Sequence, residues 1–348
     1  MHRVLVTAVG GNIGQGVIKA LRSGCRDYFI AGTDMEPRSA GFSFVDRACV
    51  TPAAGADGMV AALTTIVETE GIEAIYVCSP HELEFFSKAR HDLERATGTR
   101  VLVNPAPVIR IGQDKLETAS FLETHGFPSP ETASAEDEPA VDRLIERWGF
   151  PIIAKPRRGW TSVNVFTIRC RAALEAARVL VPDLVVQRYL PDATEEYTAG
   201  VVGSSAARRF AWIVLRRDLM QGTTYRTELA QDPAIGAQVV AMAQALGVEG
   251  ACNFQLRLVD GQPSVFEINP RFSGTSGIRY LYGFNDPEMA FEQICLGRPI
   301  VQPPVRPGVV LRYWNEVHLP DAAFRSMGEG SPPTGKVVAM PLRSTARS

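Results

Sequence analysis

Over its first hundred residues the chain alternates short apolar runs with helical patterns, and this alternation narrows the fold more than any other feature. Arg3 to Thr7 reads as a buried strand, Ile13 to Arg22 as a helix, and Tyr28 to Thr33 as a second strand; Ile72 to Cys78 is a later strand before a helix from about His81. Strands and helices taking turns imply a parallel sheet covered on both faces. Gly10, Gly11, Gly14 and Gly16 fall between the first strand and the first helix, and Asp34 ends the second strand. Glycines there let backbone amides approach a phosphate at a helix N-terminus, a Rossmann-like arrangement, although a tight strand-to-helix turn without a ligand fits the same residues.

At 348 residues the chain is long enough for two to three domains of about 150 residues each. Asn104, Pro105 and Pro107 mark a domain boundary. Beyond it the pattern changes to α+β, largely antiparallel. A helix is expected from Asp114 to about His125, another from Glu136 to Trp148, and strands at Pro151–Pro156, Val163–Ile168, Leu184–Tyr189, Tyr197–Val202 and Arg209–Leu215. A helix over Pro233–Leu246 and a hairpin over Ala251–Asn269 follow.

Composition excludes several classes. Hydrophobic residues at 45% and charged residues at 21% describe a folded, water-soluble chain. A net charge of −2 offers no footprint for nucleic acid, and no apolar run approaches the ~18 residues that cross a membrane. Met1 to Gly16 turns glycine-rich before a signal-peptide core develops, so a cytoplasmic location is expected. The cysteines (Cys25, Cys49, Cys78, Cys170, Cys252, Cys295) form no CxxC pair, and five sit where a small buried thiol fits; the histidines show no metal-binding spacing. Disulfides and zinc are not expected. A homo-oligomer is left open.

Of 36 basic residues only Lys19, Lys88, Lys115, Lys155 and Lys336 are lysines. Lys155 ends a buried apolar strand, where an unpaired ammonium is costly and an anion is the natural partner. The turn after it, Arg157 to Ser162, joins positive charge, Gly159 and the hydroxyls of Thr161 and Ser162, which suits a lid over phosphates. In the hairpin, period-two alternation puts Cys252, Phe254, Leu256 and Leu258 on one face and Asn253, Gln255 and Arg257 on the other. Glu267 and Asn269 share a face, and oxygen ligands grouped this way suit Mg2+. That grouping needs Gln255 opposite Glu267, hence an odd connection; a three-residue loop, Asp260 to Gln262, supplies it, whereas a two-residue Asp-Gly turn alone separates the ligands.

Lys115 after Asp114, the strand Ile152–Pro156, the lid 159–163, the strand and turn Gln187–Leu190 with Glu196, and Phe266–Arg271 together resemble an ATP-grasp enzyme. The Asn253–Gln255 and Glu267–Arg271 segments resemble one synthetase half of the carbamoyl phosphate synthetase large subunit. The resemblance implies a Rossmann-like preATP-grasp domain over 1–104, an ATP-grasp N-terminal subdomain over 105–188, a C-terminal subdomain over 189–300 and an extension over 301–348. It further implies ATP and Mg2+ as cofactors. Lys115 and Lys155 would hold phosphates, with Gly159, Thr161 and Ser162 in the lid. Gln187, Tyr189 and Leu190 would surround adenine, Glu196 the ribose, Gln255, Glu267 and Asn269 the metal, and Arg271 the transferred phosphoryl group. The expected reaction joins a small-molecule carboxylate to an amine through an acyl phosphate, with Arg226, Arg279, Tyr280 and Tyr282 as candidate acceptor contacts. Thr7 to Gly14 also resembles the opening of short-chain dehydrogenases, but no Tyr is followed four residues later by Lys. An NAD-dependent oxidoreductase and a non-catalytic ATP sensor are the alternatives.

Overall fold

A computed structural model describes residues 1–159, 163–190, 196–328 and 338–339. Thr161 and Ser162, expected in a lid, and nearly all of the tail after Gly328 lie outside the described residues.

Five strands, β1 (His2–Val6), β2 (Tyr28–Asp34), β3 (Arg47–Val50), β4 (Ala74–Tyr76) and β5 (Arg100–Leu102), form a parallel sheet in the order β3-β2-β1-β4-β5. The order reverses between β1 and β4, and open parallel sheets bind ligands beyond the strand ends at such a switch point. The glycine turn follows β1 and the Cys78–His81 turn follows β4, so both border that crevice. Gly14 is required for the turn, because a Cβ there would lie 2.5 Å from the Ala8 carbonyl oxygen.

Next come β6 (Thr132–Ser134), β7 (Ile152–Pro156), β8 (Phe166–Ile168) and β9 (Leu184–Arg188), an antiparallel sheet in the order β6-β9-β7-β8. The third sheet is also antiparallel: β10 (Glu196–Ser204), β11 (Arg209–Met220), β12 (Thr223–Leu229), β13 (Glu249–Val259), β14 (Gln262–Asn269) and β15 (Val309–Leu311), in the order β14-β13-β10-β11-β12-β15. The helix Pro233–Leu246 covers one of its faces, packing Val239 and Met242 against Val201, Val214, Phe254 and Leu256. On the other face Val202, Ile213, Leu215 and Ala251 join a core that includes Phe284 and Phe291 and reaches the parallel sheet. Asn104 fastens the two regions: its amide donates to Ala251 O and Pro270 O, and its carbonyl accepts from Glu249 N at 2.9 Å.

Three local expectations change. Pro105 and Pro107 do not interrupt the chain but start the helix Ala106–Gln113, where a missing amide hydrogen costs nothing. Strand β11 runs on to Met220, past Leu215. Cys25 and Cys170 are exposed, while Cys78 and Cys252 are buried.

Arg279 is 1% exposed, ion-paired to Asp286 at 2.8 Å and hydrogen-bonded to Asn253. Asp286→Ala should therefore destabilise the fold by roughly 3–5 kcal/mol, because it strands a buried guanidinium. Urea unfolding checks this; a loss under 1 kcal/mol would show the pair to be dispensable.

Candidate functional site

A cleft of about 620 Å³ lies where the three sheets meet, bounded by the glycine turn, the turn after β4, and strands of both antiparallel sheets. The third sheet presents its polar face there. Period-two alternation brings Asn253, Gln255 and Arg257 of β13 to the cleft, while Cys252, Phe254 and Leu256 turn into the core.

The metal-ligand register arises differently from the expected three-residue loop. Asp260 and Gly261 form a two-residue turn with φ of 50° and 76°, and Val259 pairs with Gln262. Positive φ at both positions is the geometry that suits hairpin twist. Uncorrected, this turn would pair Gln255 with Phe266. A β-bulge next to Gln255 absorbs one residue, so Leu256 pairs with Val265 and Gln255 with Glu267. Gln255, Phe266, Glu267 and Asn269 thus all line the cleft, as does Lys155.

Lys155 is 6% exposed, and its ammonium donates to Gln187 Oε1 at 2.8 Å and stands 5.7 Å from the Phe266 ring centroid. Burial pushes its pKa down to about 8, opposed by the negative charge of Glu267. Arg271 is likewise pushed down by burial, to about 10, and donates to Phe272 O and Asn269 Oδ1. Asn269 Nδ2 donates to Glu267 Oε1 at 3.0 Å.

Arg217 is the residue that the sequence reading passed over. One step beyond the Tyr197–Arg216 pair, it faces Glu196, which also faces Arg257 across β13. Arg217 Nη2 donates to Glu196 Oε1 at 2.6 Å and to Gln255 Oε1 at 2.8 Å, and Arg257 Nη2 to Glu196 Oε2 at 3.0 Å. Ending β11 at Leu215 hid it, since Ala211, Ile213 and Leu215 continue in steps of two to Arg217.

Other candidates sit elsewhere. Lys115 donates to Gly159 O at 3.1 Å, Gln187 also bonds Thr132, and neither side chain lines the cleft, whereas Tyr189, Leu190 and Glu196 do. Arg157 does not point over the cleft but clamps Asp114 through Nε at 2.9 Å to both carboxylate oxygens. Burial pushes the Asp114 carboxyl up, yet Arg157 and the first amides of its helix leave it below the ordinary value. Arg226 pairs with Asp218, Tyr282 donates to Thr227 O, and Arg279 is enclosed; these three and Tyr280 are outside the cleft lining, which corrects their expected role at the acceptor. Asp34 spends its two oxygens on the amides of Gly10 and Glu36, so it is not held free for a dinucleotide ribose.

Among the described residues no helix is long and apolar enough to cross a membrane, and no group of three His, Cys, Asp or Glu is placed to hold a metal. The oxygen set offers one carboxylate, Glu267, plus Asn269. Gln255 shares its oxygen with Arg217, which repels a cation. Such a set fits Mg2+ that arrives with phosphate oxygens of its own.

Residues 180–317 match a family model described as ATP-grasp in the biosynthetic pathway with Ter operon. The D-alanine–D-alanine ligase of Chromohalobacter salexigens is 32% identical over 111 residues, covering 31% of this chain and 33% of that protein. The carbamoyl phosphate synthase large chain of Gemmatimonas aurantiaca is 26% identical over 298 residues, covering 79% of this chain and 26% of that protein. The chain thus spans a third or less of the length of these two relatives. The solved N5-carboxyaminoimidazole ribonucleotide synthetase of Thermus thermophilus superposes with a TM-score of 0.69 at 18% identity, over 97% of this chain and 92% of that one. Strand order, family match and superposition agree: residues 180–317 carry an ATP-grasp domain, and the chain has the ATP-grasp fold preceded by a Rossmann-like domain.

Proposed function

We propose that the protein is an ATP-dependent ligase that joins a carboxylate to an amine through an acyl phosphate. The observation that carries this reading is the convergence, in one cleft, of Lys155, Arg271 and Glu267 with the switch-point turns of the parallel sheet. Tyr189 and Leu190 would border adenine. Glu196 Oε1 already takes two bonds from Arg217 and Oε2 one from Arg257, so the remaining lone pair of Oε2 would accept a ribose hydroxyl. Lys155 would hold phosphate; Lys115 would brace the start of the lid, to which Gly159, Thr161 and Ser162 are assigned.

In the first step a carboxylate oxygen bonds the γ-phosphorus as the bond to ADP breaks. In the second the amine attacks the acyl carbon, phosphate leaves, and the nitrogen sheds protons to give the amide. Catalysis is mainly positioning and charge neutralisation, for which Lys155 and Arg271 are preset in the cleft. Glu267 and Asn269, with Gln255 at the margin, would hold Mg2+, which offsets phosphate charge when bound. The comparisons support this reading through relatives named D-alanine–D-alanine ligase.

An ADP-release screen with Mg2+ over pairs of amino acids and small carboxylates tests it. Release that requires both partners is expected. ATP binding with no acceptor-dependent release would replace the ligase with a sensor.

A further inference from the structure

The arginines of the cleft fall into two groups. Toward the adenine side, Arg217 and Arg257 share Glu196. Along the turn 271–275 Glu267 lies near Arg271, but among the described residues no acid is ion-paired to a cation there. Arg271 donates only to uncharged oxygens, and Arg312, half-buried just past β15, donates to Gly274 O and has no acid partner among the described residues. Both line the cleft. The Gly274 backbone lies against Asn12, and Asn12, Gly16 and Lys19 follow one another at i, i+4 and i+7 on the face of the helix Asn12–Ser23 turned to this segment. Burial lowers the pKa of Arg312, and burial with the nearby Arg312 charge lowers that of Lys19. Two like charges held together without an acid await an anion.

Taking the ligase reading as given, we propose that the acceptor carboxylate carries a second anionic group, a carboxylate or a phosphate, and that Arg312 binds it. The reacting carboxylate cannot be the partner of Arg312. It loses its charge on becoming an amide and must lie by Arg271 and Glu267, whose neighbour Asn269 ties them together. A second anion stays charged from substrate to product, and a planar guanidinium receives either carboxylate or phosphate through two N–H groups. Asn12 and the hydroxyls of Ser273 and Thr275 line the same end of the cleft.

Calorimetric titration with succinate, 3-phosphoglycerate and butyrate tests this, with ADP and Mg2+ filling the nucleotide site. Wild type should bind succinate or 3-phosphoglycerate tenfold or more tighter than butyrate, and which one distinguishes carboxylate from phosphate. Arg312→Gln should abolish that preference while ADP binding reports its folding; Arg226→Gln, outside the cleft, should keep it. Equal affinities in wild type, no binding of either succinate or 3-phosphoglycerate, or a preference that survives Arg312→Gln would overturn the proposal. These readouts need no turnover, so failure of the ligase reading appears separately, as absent ADP release.

Discussion

Lys155→Met should lose about a hundredfold in ATP-dependent turnover and yet make the unliganded protein more stable at pH 7. The loss follows from a charge-assisted phosphate contact worth up to about 3 kcal/mol. The gain follows from burial. Lys155 titrates at about 8 in the folded protein against 10.5 for the free side chain, and each pKa unit is 1.36 kcal/mol, so keeping it charged costs roughly 3 kcal/mol at pH 7. Methionine removes that cost but leaves Gln187 Oε1 without the ammonium donor, returning about 1–2 kcal/mol. A net stabilisation of about 1–2 kcal/mol remains. Its pH dependence has a definite sign. Below pH 8 the lysine is charged in both states and the cost is fully present. Between pH 8 and 10.5 the unfolded chain holds the proton that the folded chain has released, so wild-type stability rises with pH and the advantage of the mutant shrinks. Urea unfolding of both proteins at pH 7 and 9.5, with ATP titrations, checks each part; a less stable mutant that still binds ATP like wild type would defeat the assignment.

The parallel sheet was legible because its strands are apolar on both faces and its punctuation is glycine and charge, features local to the sequence. The alternation in β13 was equally readable: core on one side, Asn253, Gln255 and Arg257 on the other. What local pattern could not supply was the connection. The Asp-Gly turn pointed to a two-residue hairpin and the ligand set demanded the opposite parity; both hold, because a bulge at Phe266 lies between them. A bulge has no signature in alternating apolar residues. Charge partners were similarly hidden. The Arg157–Asp114 and Arg279–Asp286 pairs each join separate segments or a helix to its own cap region, and only packing decides that these arginines serve the fold while Arg271 and Arg312 face the cleft.

Glu267→Gln should reduce turnover by about a hundredfold or more, the order seen when one preset charge-stabilising group is lost, and should leave a second trace in the absence of metal. Glu267 is the foremost of the acids that hold up the pKa values of Lys155, Lys115 and Arg271 against burial, Glu196 adding to it at Lys155 and Asp114 at Lys115. Glutamine keeps the shape and the hydrogen-bonding oxygen for Asn269 but removes the charge. Lys155, at about 8 in the wild type, must then titrate lower. Phosphate binding depends on the ammonium form, so nucleotide affinity in wild type should weaken as pH rises through about 8, and in Glu267→Gln the same weakening should begin at lower pH. Titrations of ADP without Mg2+ from pH 6 to 9 separate this from loss of the metal, which a metal-free measurement does not sense. If the two pH profiles coincide, Glu267 is not electrostatically coupled to Lys155, and the carboxylate's part in the cleft reduces to holding Mg2+ alone.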